Sequence, residues 1–346
     1  MERRKFICMA MGGAALGYGG WRLAEGLDWL DGHGPRAPGK LKKVSRSCRA
    51  LGTDVHLTVY HEDLATAEEA VTAAFAEMDR VEELMSLYRP ASQLSRLNRD
   101  GTLVRPDPDL VRVLQTASRL SARTGGVFDV TVQPLWRLYA GADNVGALAG
   151  ETALRTARAK VDWRKLEIRP DRIRLRGDGM AVTLNGMAQG FATDAARRVL
   201  HRHGIRSALI DAGEVGAVGK PLHKTDWTVG IQHPRQRGDL LGISNLKGRC
   251  LATSGDYETR FSDDYRFHHL FDPHTGRSPE ELASVSVAAP TALQADALST
   301  AAFVLGAAKG RELLRSFPQV DGLFITKAGR VERTSHFPFV RSPKTS

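Results

Sequence analysis

Cysteine is scarce in this chain, with three residues among 346, and aromatic side chains make up only 7%. Three cysteines cannot form a disulfide framework, and no two Cys or His pairs show the spacing of a zinc site. For Cys48 and Cys250 we expect free or buried thiols. A disulfide between them is the alternative if the chain reaches an oxidising compartment.

Acidic residues are outnumbered, with 39 Asp and Glu against 49 Lys and Arg, which gives a net charge of +10. Most of this excess is local, because residues 1–50 hold ten basic and four acidic residues and contribute +6. The remainder is mildly basic and carries no basic stripe with interleaved aromatic residues. The composition therefore indicates no nucleic-acid binding, while a basic groove for an anionic ligand remains compatible.

The chain also lacks an apolar run long enough to span a bilayer; its weakly apolar, Gly- and Ala-rich run covers only residues 8–20. This run follows Arg3-Arg4-Lys5, and the combination resembles a twin-arginine export signal. It predicts an export signal with its flank at 1–31, the twin-arginine machinery as a partner, and a periplasmic location. Residues 32–43 are rich in Gly, Pro and Lys, which predicts a linker and a folded domain at 44–346. The alternatives are an uncleaved signal that anchors the protein to the inner membrane, or an amphipathic or disordered N-terminus.

Hydrophobic periodicity predicts a mixture of helices and strands. Predicted helices cover residues 64–87, 109–124, 191–203, 293–305 and 309–316. Predicted strands cover residues 55–59, 166–168, 173–175, 181–184, 207–210, 227–231, 240–245, 266–271, 284–288, 323–326 and 330–332. The order lacks a strict βαβ rhythm, so we expect an α+β fold in which mixed sheets and packed helices form a single intertwined unit.

Asp296 and Thr300 lie four residues apart on a predicted helix, so a carboxylate and a hydroxyl share one face. With a backbone carbonyl, these groups would suit a hard cation such as Mg²⁺, which prefers oxygen ligands. The alternative is that Asp296 caps its helix and Thr300 bonds to a backbone carbonyl. The apolar surroundings of Asp296 argue against this alternative, because a buried acid needs a partner.

Two further segments carry candidate site residues. Gly186 and Gly190 precede a predicted helix, where glycines let the backbone approach a phosphate; an ordinary turn is the alternative. His268 and His269 lie at the end of a predicted strand and would point to opposite faces. At most one of these histidines can therefore face a site, and we assign that position to His269 and a structural role to His268.

Six ordered blocks, taken together, resemble the FAD:protein FMN transferases, the ApbE-like flavin transferase family. The resemblance runs from about Ala50 to the end of the chain. The blocks are Leu51-Gly52-Thr53, residues 86–98, residues 126–132, residues 183–194, residues 253–257 with 269–276, and residues 295–300. The resemblance implies the α+β fold of that family and a catalytic unit at 44–346.

The resemblance also implies roles for individual residues. The carbonyl of Gly186, Asp296 and Thr300 would bind Mg²⁺, and His269 and Asp296 would be catalytic. The FAD site would be lined by Leu51, Tyr88, Val127, Phe128, Asp129, Thr183, Gln189 and His269. Three positions depart from the family pattern: Thr183 replaces Asp, Gln189 replaces Lys or Glu, and Glu214 interrupts the glycine pair expected after Asp211.

The implied reaction is Mg²⁺-dependent transfer of FMN from FAD to a threonine of another protein, with release of AMP. Residues 131–136 and 185–190 look like the branch associated with nitrous oxide reduction, in which the acceptor would be a membrane flavoprotein of the electron-supply chain. The alternatives are an FAD-binding carrier or assembly factor without transfer, and a Mg²⁺-dependent FAD hydrolase. A periplasmic solute-binding protein is a third alternative, but it would give Asp296 and Thr300 no function.

Overall fold

The structure is a computed structural model that describes residues 41–141, 151–222, 226–236 and 238–341. Its helices are α1 Leu64–Met85, α2 Gln93–Asp100, α3 Pro108–Arg123, α4 Gln133–Ala140, α5 Glu151–Arg158, α6 Ala188–Arg202 and α7 Ala292–Arg315. Its strands are β1 Lys42–Ala50, β2 Thr53–His61, β3 Thr102–Val104, β4 Leu166–Ile168, β5 Arg172–Leu175, β6 Ser207–Asp211, β7 Val215–Val218, β8 Thr228–Gln232, β9 Leu240–Asn245, β10 Cys250–Gly255, β11 Leu282–Ala289, β12 Asp321–Thr326, β13 Val331–Arg333 and β14 Phe339–Arg341.

One large antiparallel sheet organises the chain, with eight strands in the order β1-β2-β6-β7-β10-β11-β12-β13. Strand β2 pairs with β6 and β7 pairs with β10, so segments distant in sequence lie side by side. Two smaller sheets, β14-β9-β8 and β3-β5-β4, lie beside it. Strands β6 and β11 are buried along their whole length, as expected where a sheet is covered on both faces.

Helices α1, α6 and α7 pack on this sheet through small and apolar side chains. Helix α1 begins at the N-cap Asp63, whose carboxylate accepts hydrogen bonds from the backbone of Ala65 and Thr66. Its buried face is rich in alanine, which lets α6 approach closely. No helix in the described ranges is long and apolar enough to cross a membrane.

Helices α6 and α7 cap each other's N-termini. Asp194 of α6 accepts hydrogen bonds from the backbone N–H groups of Ala292 and Leu293, the first two residues of α7. Asp296 of α7 accepts one from the N–H of Gly190 in the first turn of α6, at 3.0 Å. A Cβ at Gly190 would lie 2.5 Å from the Ala292 carbonyl oxygen, so only glycine permits this approach. The two helices are therefore fixed with their N-termini together.

The predicted α+β class is confirmed, and most predicted elements are present. Two predicted strands are wrong: residues 181–184 and 266–271 are irregular and make only isolated bridges, Val132 with Ala181 and Arg260 with His268. Most of their apolar side chains are buried in the hydrophobic cores, where Phe271 packs on Tyr139 of α4. Of the predicted linker, residues 42–43 belong to β1, and residues 1–31 lie outside the described residues.

Two other expectations concern α7 and the cysteines. The predicted interruption between residues 305 and 309 corresponds to a break at Gly306, whose φ of 79° and ψ of 174° are non-helical. Cys48 and Cys250 are both free thiols, the first half-buried and the second buried. Helices α2, α4 and α5, each eight residues long, were not predicted, because so short a helix shows little periodicity.

Candidate active site

The three residues predicted to bind a cation lie together just before the start of α6 and along the first three turns of α7. A Cβ at Gly186 would lie 2.8 Å from the Thr300 hydroxyl oxygen, so the Gly186 backbone packs directly on that hydroxyl. Asp296, one turn before Thr300, is 3% exposed and contacts the start of α6. The fold thus brings together a carboxylate, a hydroxyl and a glycine backbone from two segments more than 100 residues apart.

The hydroxyl of Thr300 belongs to a short network that reaches the large sheet. Ser254 of β10 lies 3.1 Å from the Thr300 hydroxyl and 2.8 Å from the Ser299 hydroxyl. The N-cap of α7 is Thr291, whose side chain accepts from the Gln294 N–H. Asp296 therefore does not cap its own helix, and the Thr300 hydroxyl bonds to a side chain of the sheet. These contacts contradict the alternative in which Asp296 caps its own helix and Thr300 bonds to a backbone carbonyl.

Asp296 is one of four acidic residues in this region. Burial raises its pKa from 3.8 to about 7, and burial likewise raises the pKa of Asp211 and of Glu258 to about 7. Burial, followed by repulsion from Asp296, Glu258 and Asp211, raises the pKa of Glu214 well above its usual value. Within the described ranges, none of the four forms an ion pair with lysine or arginine.

The chemistry of these groups fits a hard divalent cation. All donors are oxygens, and one oxygen of the buried Glu214 carboxylate has no hydrogen-bond partner among the described residues. The described ranges contain no group of three or more His, Cys, Asp or Glu side chains arranged to hold a metal ion. A cation here would therefore rely on mixed donors, with Asp296, Thr300 and the Gly186 carbonyl, and would leave room for substrate phosphate oxygens.

Leu51 and Gln189 form one border of this region. The amide of Gln189 lies 3.5 Å from the Leu51 carbonyl oxygen, and a Cβ at Gly213 would lie 2.9 Å from that amide nitrogen. Leu51 has a left-handed backbone, with φ of 54°, and its N–H donates to the Glu82 carboxylate at 3.0 Å. The turn between β1 and β2 is thereby fixed next to the start of α6.

Asp129 fixes a second border. Its carboxylate accepts from the N–H and hydroxyl of Thr131, both at 2.7 Å, and from the Trp163 N–H at 3.1 Å. Burial raises its pKa, although these hydrogen bonds act in the opposite direction. The neighbouring Val130 carbonyl accepts from the Thr183 N–H at 2.8 Å, which joins this segment to the one that leads to Gly186. Phe128 is buried beside Asp129, and Val127 is half-buried.

Tyr88 lies apart from the cation-binding groups and is 69% exposed. It lines an open groove of about 410 Å³ together with Leu87, Pro90, Ser95, Asn98, Arg99, Gln133, Trp136 and Arg137. The Asn98 side chain exchanges two hydrogen bonds with the Val182 backbone, of 2.8 and 2.6 Å. The groove therefore shares a wall with the segment that carries Thr183.

His268 and His269 lie in an irregular segment rather than on the predicted strand. Their surroundings nevertheless differ. His268 is fully buried; its Nε2 donates to the Pro279 carbonyl at 3.1 Å, and its ring meets Phe303 edge-on. His269 is half-buried, and its Nδ1 must donate to the Thr259 carbonyl, which can only accept. Burial lowers the pKa of His269 to about 4. Its Nε2 therefore carries a free lone pair at neutral pH.

The structure brings together Gly186, Gln189, Asp296, Thr300 and Leu51, and it links Phe128, Asp129 and Thr183 to them through one backbone segment. Within the described ranges, no hydrogen bond joins His269 to Asp296 or Thr300. Sequence reasoning did not assign roles to Ser254, Asp211 or Glu258. The only signal for Ser254 was its place among small polar residues, and nothing local distinguished the acids.

Comparisons with known proteins agree with this geometry. The ApbE family model matches residues 51–324. A Treponema pallidum protein named FAD:protein FMN transferase is 31% identical over 318 residues, covering 86% of this chain and 88% of its own length. A Haemophilus influenzae protein of the same name is 31% identical over 314 residues, covering 83% of this chain and 90% of its own length.

Solved structures give the same result. The ApbE protein of Thermotoga maritima superposes with a TM-score of 0.76 at 28% identity, covering 85% of this chain and 97% of its own. The flavin transferase ApbE of Vibrio cholerae has a TM-score of 0.76 at 26% identity and covers 87% of this chain and all of its own. Fold and site together define an enzyme of the flavin transferase class. The chain belongs to the ApbE family, which confirms the predicted family and enzyme class.

Proposed function

We propose that this protein transfers FMN from FAD to a threonine hydroxyl of an acceptor protein, with Mg²⁺ bound and AMP released. The observation that carries the proposal is the meeting of Gly186, Asp296 and Thr300 at the paired N-termini of α6 and α7. Helix N-termini favour anions, and oxygen donors favour Mg²⁺, so this position suits a diphosphate. The names of the curated relatives support FAD as the donor.

The reaction is a displacement at the phosphorus on the FMN side of FAD. The threonine oxygen of the acceptor forms a bond to this phosphorus while the bond to the bridging diphosphate oxygen breaks. The threonine proton is lost to a base, and AMP leaves with the bridging oxygen. When bound, Mg²⁺ would neutralise charge on the diphosphate oxygens. Asp296, Thr300 and the Gly186 carbonyl would hold it.

His269 is the proposed group that assists this proton transfer or contacts the phosphate. Its Nδ1–H is held by the Thr259 carbonyl, which leaves Nε2 as an acceptor. The low pKa keeps the ring neutral, so it can take a proton. A phosphate anion nearby would raise the pKa of His269 and strengthen it as a base.

The remaining predicted residues would bind the flavin nucleotide. Tyr88 and Trp136 offer aromatic faces in the groove, while Arg99 and Arg137 add positive charge. Gln189 contacts Leu51 beside the cation-binding groups, and Thr183 follows Val182, which is hydrogen-bonded to Asn98 of the groove. Two departures from the family pattern, Thr183 and Gln189, place neutral side chains there, and they favour the FAD carrier as the second candidate function.

The proposal also covers the class of acceptor protein and the cellular location of the enzyme. The twin-arginine pattern of residues 3–20 supports export to the periplasm, with an inner-membrane anchor if the signal is retained. The similarity of residues 131–136 and 185–190 to the branch associated with nitrous oxide reduction supports a membrane electron-transfer flavoprotein as the acceptor. Protection of the protein from protease added outside intact cells but not outside spheroplasts, lost when Arg3 and Arg4 are replaced by lysine, would test the export step.

The activity is tested by incubating the protein with FAD, MgCl₂ and a threonine-bearing acceptor. We expect the acceptor to gain the mass of FMN, with stoichiometric AMP, and EDTA to prevent both. Asp296→Asn should lower the rate at least about 100-fold, because it removes the charge that holds the cation. FAD retained without AMP release would instead indicate a carrier, and acceptor-independent FMN release would indicate a hydrolase.

Asp194→Asn is the matched control, because it makes the same change in the other half of the reciprocal cap. It should lower stability and leave most of the transfer activity. If Asp194→Asn and Asp296→Asn lost activity equally, the loss would reflect helix packing rather than cation binding.

A further inference from the structure

Glu214 is the feature of the site that the proposed reaction does not use. It lies in the turn between β6 and β7, directly before Val215, and it is 6% exposed. Its backbone carbonyl is held by the Ala212 N–H and by the Thr193 hydroxyl of α6. The turn is therefore fixed against the helix whose first residues border the cation-binding groups.

The side chain of Glu214 points toward that border. The backbone N–H of Thr253 donates to its carboxylate, and Thr253 precedes Ser254, whose hydroxyl contacts Thr300. Asp296 is the nearby charge that acts most strongly on Glu214, ahead of Glu258 and Asp211. Gly213, the residue before Glu214, packs on the Gln189 amide, and Gly190, the residue after Gln189, donates its N–H to Asp296. These contacts place the turn that carries Glu214 beside the segment that binds Asp296.

The second oxygen of this carboxylate, Oε2, has no hydrogen-bond partner in the part of the chain that the structure describes. A buried carboxylate oxygen without a partner is costly, because nothing replaces its lost hydration. No lysine or arginine of the described ranges pairs with Glu214 or Asp296. A divalent cation, which binds oxygen ligands, would satisfy Oε2 of Glu214 and neutralise the charge of both carboxylates.

We propose that the Glu214 carboxylate is an additional ligand, direct or through one water, of the divalent cation held by Asp296 and Thr300. This inference rests on the proposed function and adds a residue at which the sequence departs from the family pattern. Mg²⁺ sites commonly use one or two carboxylates and complete the shell with waters and phosphate oxygens. Two carboxylates would let this protein bind the cation before FAD arrives, since less of the charge must come from the diphosphate.

The competing explanation is a purely structural Glu214, protonated and bonded only to Thr253. A protonated carboxyl at this position would still bury one polar oxygen without a partner. Glutamine would reproduce its shape and its hydrogen bond to the Thr253 N–H. The two explanations therefore differ in what Glu214→Gln does to cation binding.

The test uses the full protein without FAD and Mn²⁺ as the probe, with free Mn²⁺ measured by electron paramagnetic resonance. We expect Glu214→Gln to weaken Mn²⁺ binding about 10- to 100-fold, the range seen when groups that support a metal are removed. Without a cation, the Tm of Glu214→Gln should equal or exceed that of the wild type, which shows that the variant folds. Wild-type Mn²⁺ affinity in Glu214→Gln would overturn the inference.

Glu258→Gln is the matched control, because it removes a charge from the same group of acids at a half-buried position. It should weaken Mn²⁺ binding less than threefold. An equal loss in Glu258→Gln would show a general charge effect and would also overturn the inference. Asp296→Asn separates the two proposals: unchanged Mn²⁺ binding in that variant would refute the cation site itself, whereas its loss beside an unaffected Glu214→Gln would refute only the role of Glu214.

Discussion

At the scale of single residues, Asp296 combines a structural and a chemical task. Its carboxylate accepts from the Gly190 N–H and so stabilises the start of α6, where a negative charge is favourable. The same carboxylate lies one helical turn from the Thr300 hydroxyl and would bind the cation. The cost of burying it is lowered by the helix N-terminus, which explains how a carboxylate can stay near the sheet without a basic partner.

His268 gives a residue-scale prediction about pH. Burial lowers its pKa from 6.5 to about 3, and its Nδ1 has no partner in the described ranges. Between pH 3 and pH 6.5, His268 of the unfolded chain binds a proton that His268 of the native protein does not bind. The contribution of neutral His268 to stability is therefore fully present above pH 6.5 and is lost as pH falls toward 3. From pH 7 to pH 5, the loss should be about 2 kcal/mol.

The measurement is urea unfolding of wild type and His268→Gln at pH 7 and pH 5. Glutamine can still donate to the Pro279 carbonyl but cannot be protonated. The free energy of unfolding of the wild type, relative to the variant, should therefore fall on acidification. A difference that is equal at both pH values would contradict the assignment of a neutral, buried His268.

At the scale of elements, the site depends on how α7 is built. The first half of α7 carries Asp296 and Thr300, and the break at Gly306 separates it from the second half. At this break Glu281 accepts from the Ala307 N–H at 3.1 Å and caps the second half. The break lets the N-terminal half follow the sheet at Ser254 while the C-terminal half packs on β12.

Gly306→Ala should therefore destabilise the protein by about 3 kcal/mol, because φ near +79° with ψ near 174° is essentially restricted to glycine. A Cβ would also lie 2.1 Å from the Glu281 carboxylate and displace the cap. Chemical denaturation of the variant measures this loss.

Gly329→Ala is the control for backbone strain alone. Gly329 has φ of 80°, and no atom lies within 4 Å of its would-be Cβ. This variant should lose only about 1 kcal/mol. Equal losses at the two positions would contradict the larger cost assigned to Gly306, where the glycine-only backbone and the contact with Glu281 act together.

At the scale of the whole molecule, the site joins parts of the chain that are far apart in sequence. The segment at Gly186, the turn at Glu214, strand β10 at Ser254 and helix α7 meet because β7 pairs with β10 and α6 packs on α7. A cation bound there would link these parts in the native state only. Its binding should therefore stabilise the fold as a unit, by about 2.7 kcal/mol when the free cation is at 100 times its Kd.

This stabilisation should depend on pH. The pKa of Asp296 is raised from 3.8 to about 7, so its protonated form favours the native state below pH 3.8, and this benefit is lost as pH rises through 7. Mg²⁺ binds the deprotonated form. Addition of 10 mM MgCl₂, about the level used to saturate weak Mg²⁺ sites, should raise Tm more at pH 8 than at pH 5.5.

Differential scanning fluorimetry at the two pH values measures this effect, with Asp296→Asn as the variant that should show no Mg²⁺-dependent shift. Equal shifts at pH 5.5 and pH 8 in the wild type would contradict a buried carboxylate as the ligand.

The sequence predicted the long amphipathic helix α1, the α+β class, and the grouping of Gly186, Asp296 and Thr300. Periodicity and short motifs involve neighbouring residues only, so the sequence alone shows them. The resemblance of the six ordered blocks to one family added the grouping of the three site residues. It placed a strand at residues 266–271, where the chain is irregular. Leu270 and Phe271 are buried in the hydrophobic cores, and a short apolar run in the sequence does not distinguish a buried irregular segment from a strand.

By itself, the sequence determined which side chains are available and where helices begin and break, as at Asp63, Thr291 and Gly306. Tertiary structure alone decided that Asp296 accepts from Gly190 rather than capping its own helix, and that the turn carrying Glu214 packs beside Gln189. The N-caps at Asp63 and Thr291 bond to backbone N–H groups only two or three residues away. Contacts of the buried carboxylates depend on sheet order and helix packing, which bring together residues such as Gly190 and Asp296, 106 positions apart in sequence.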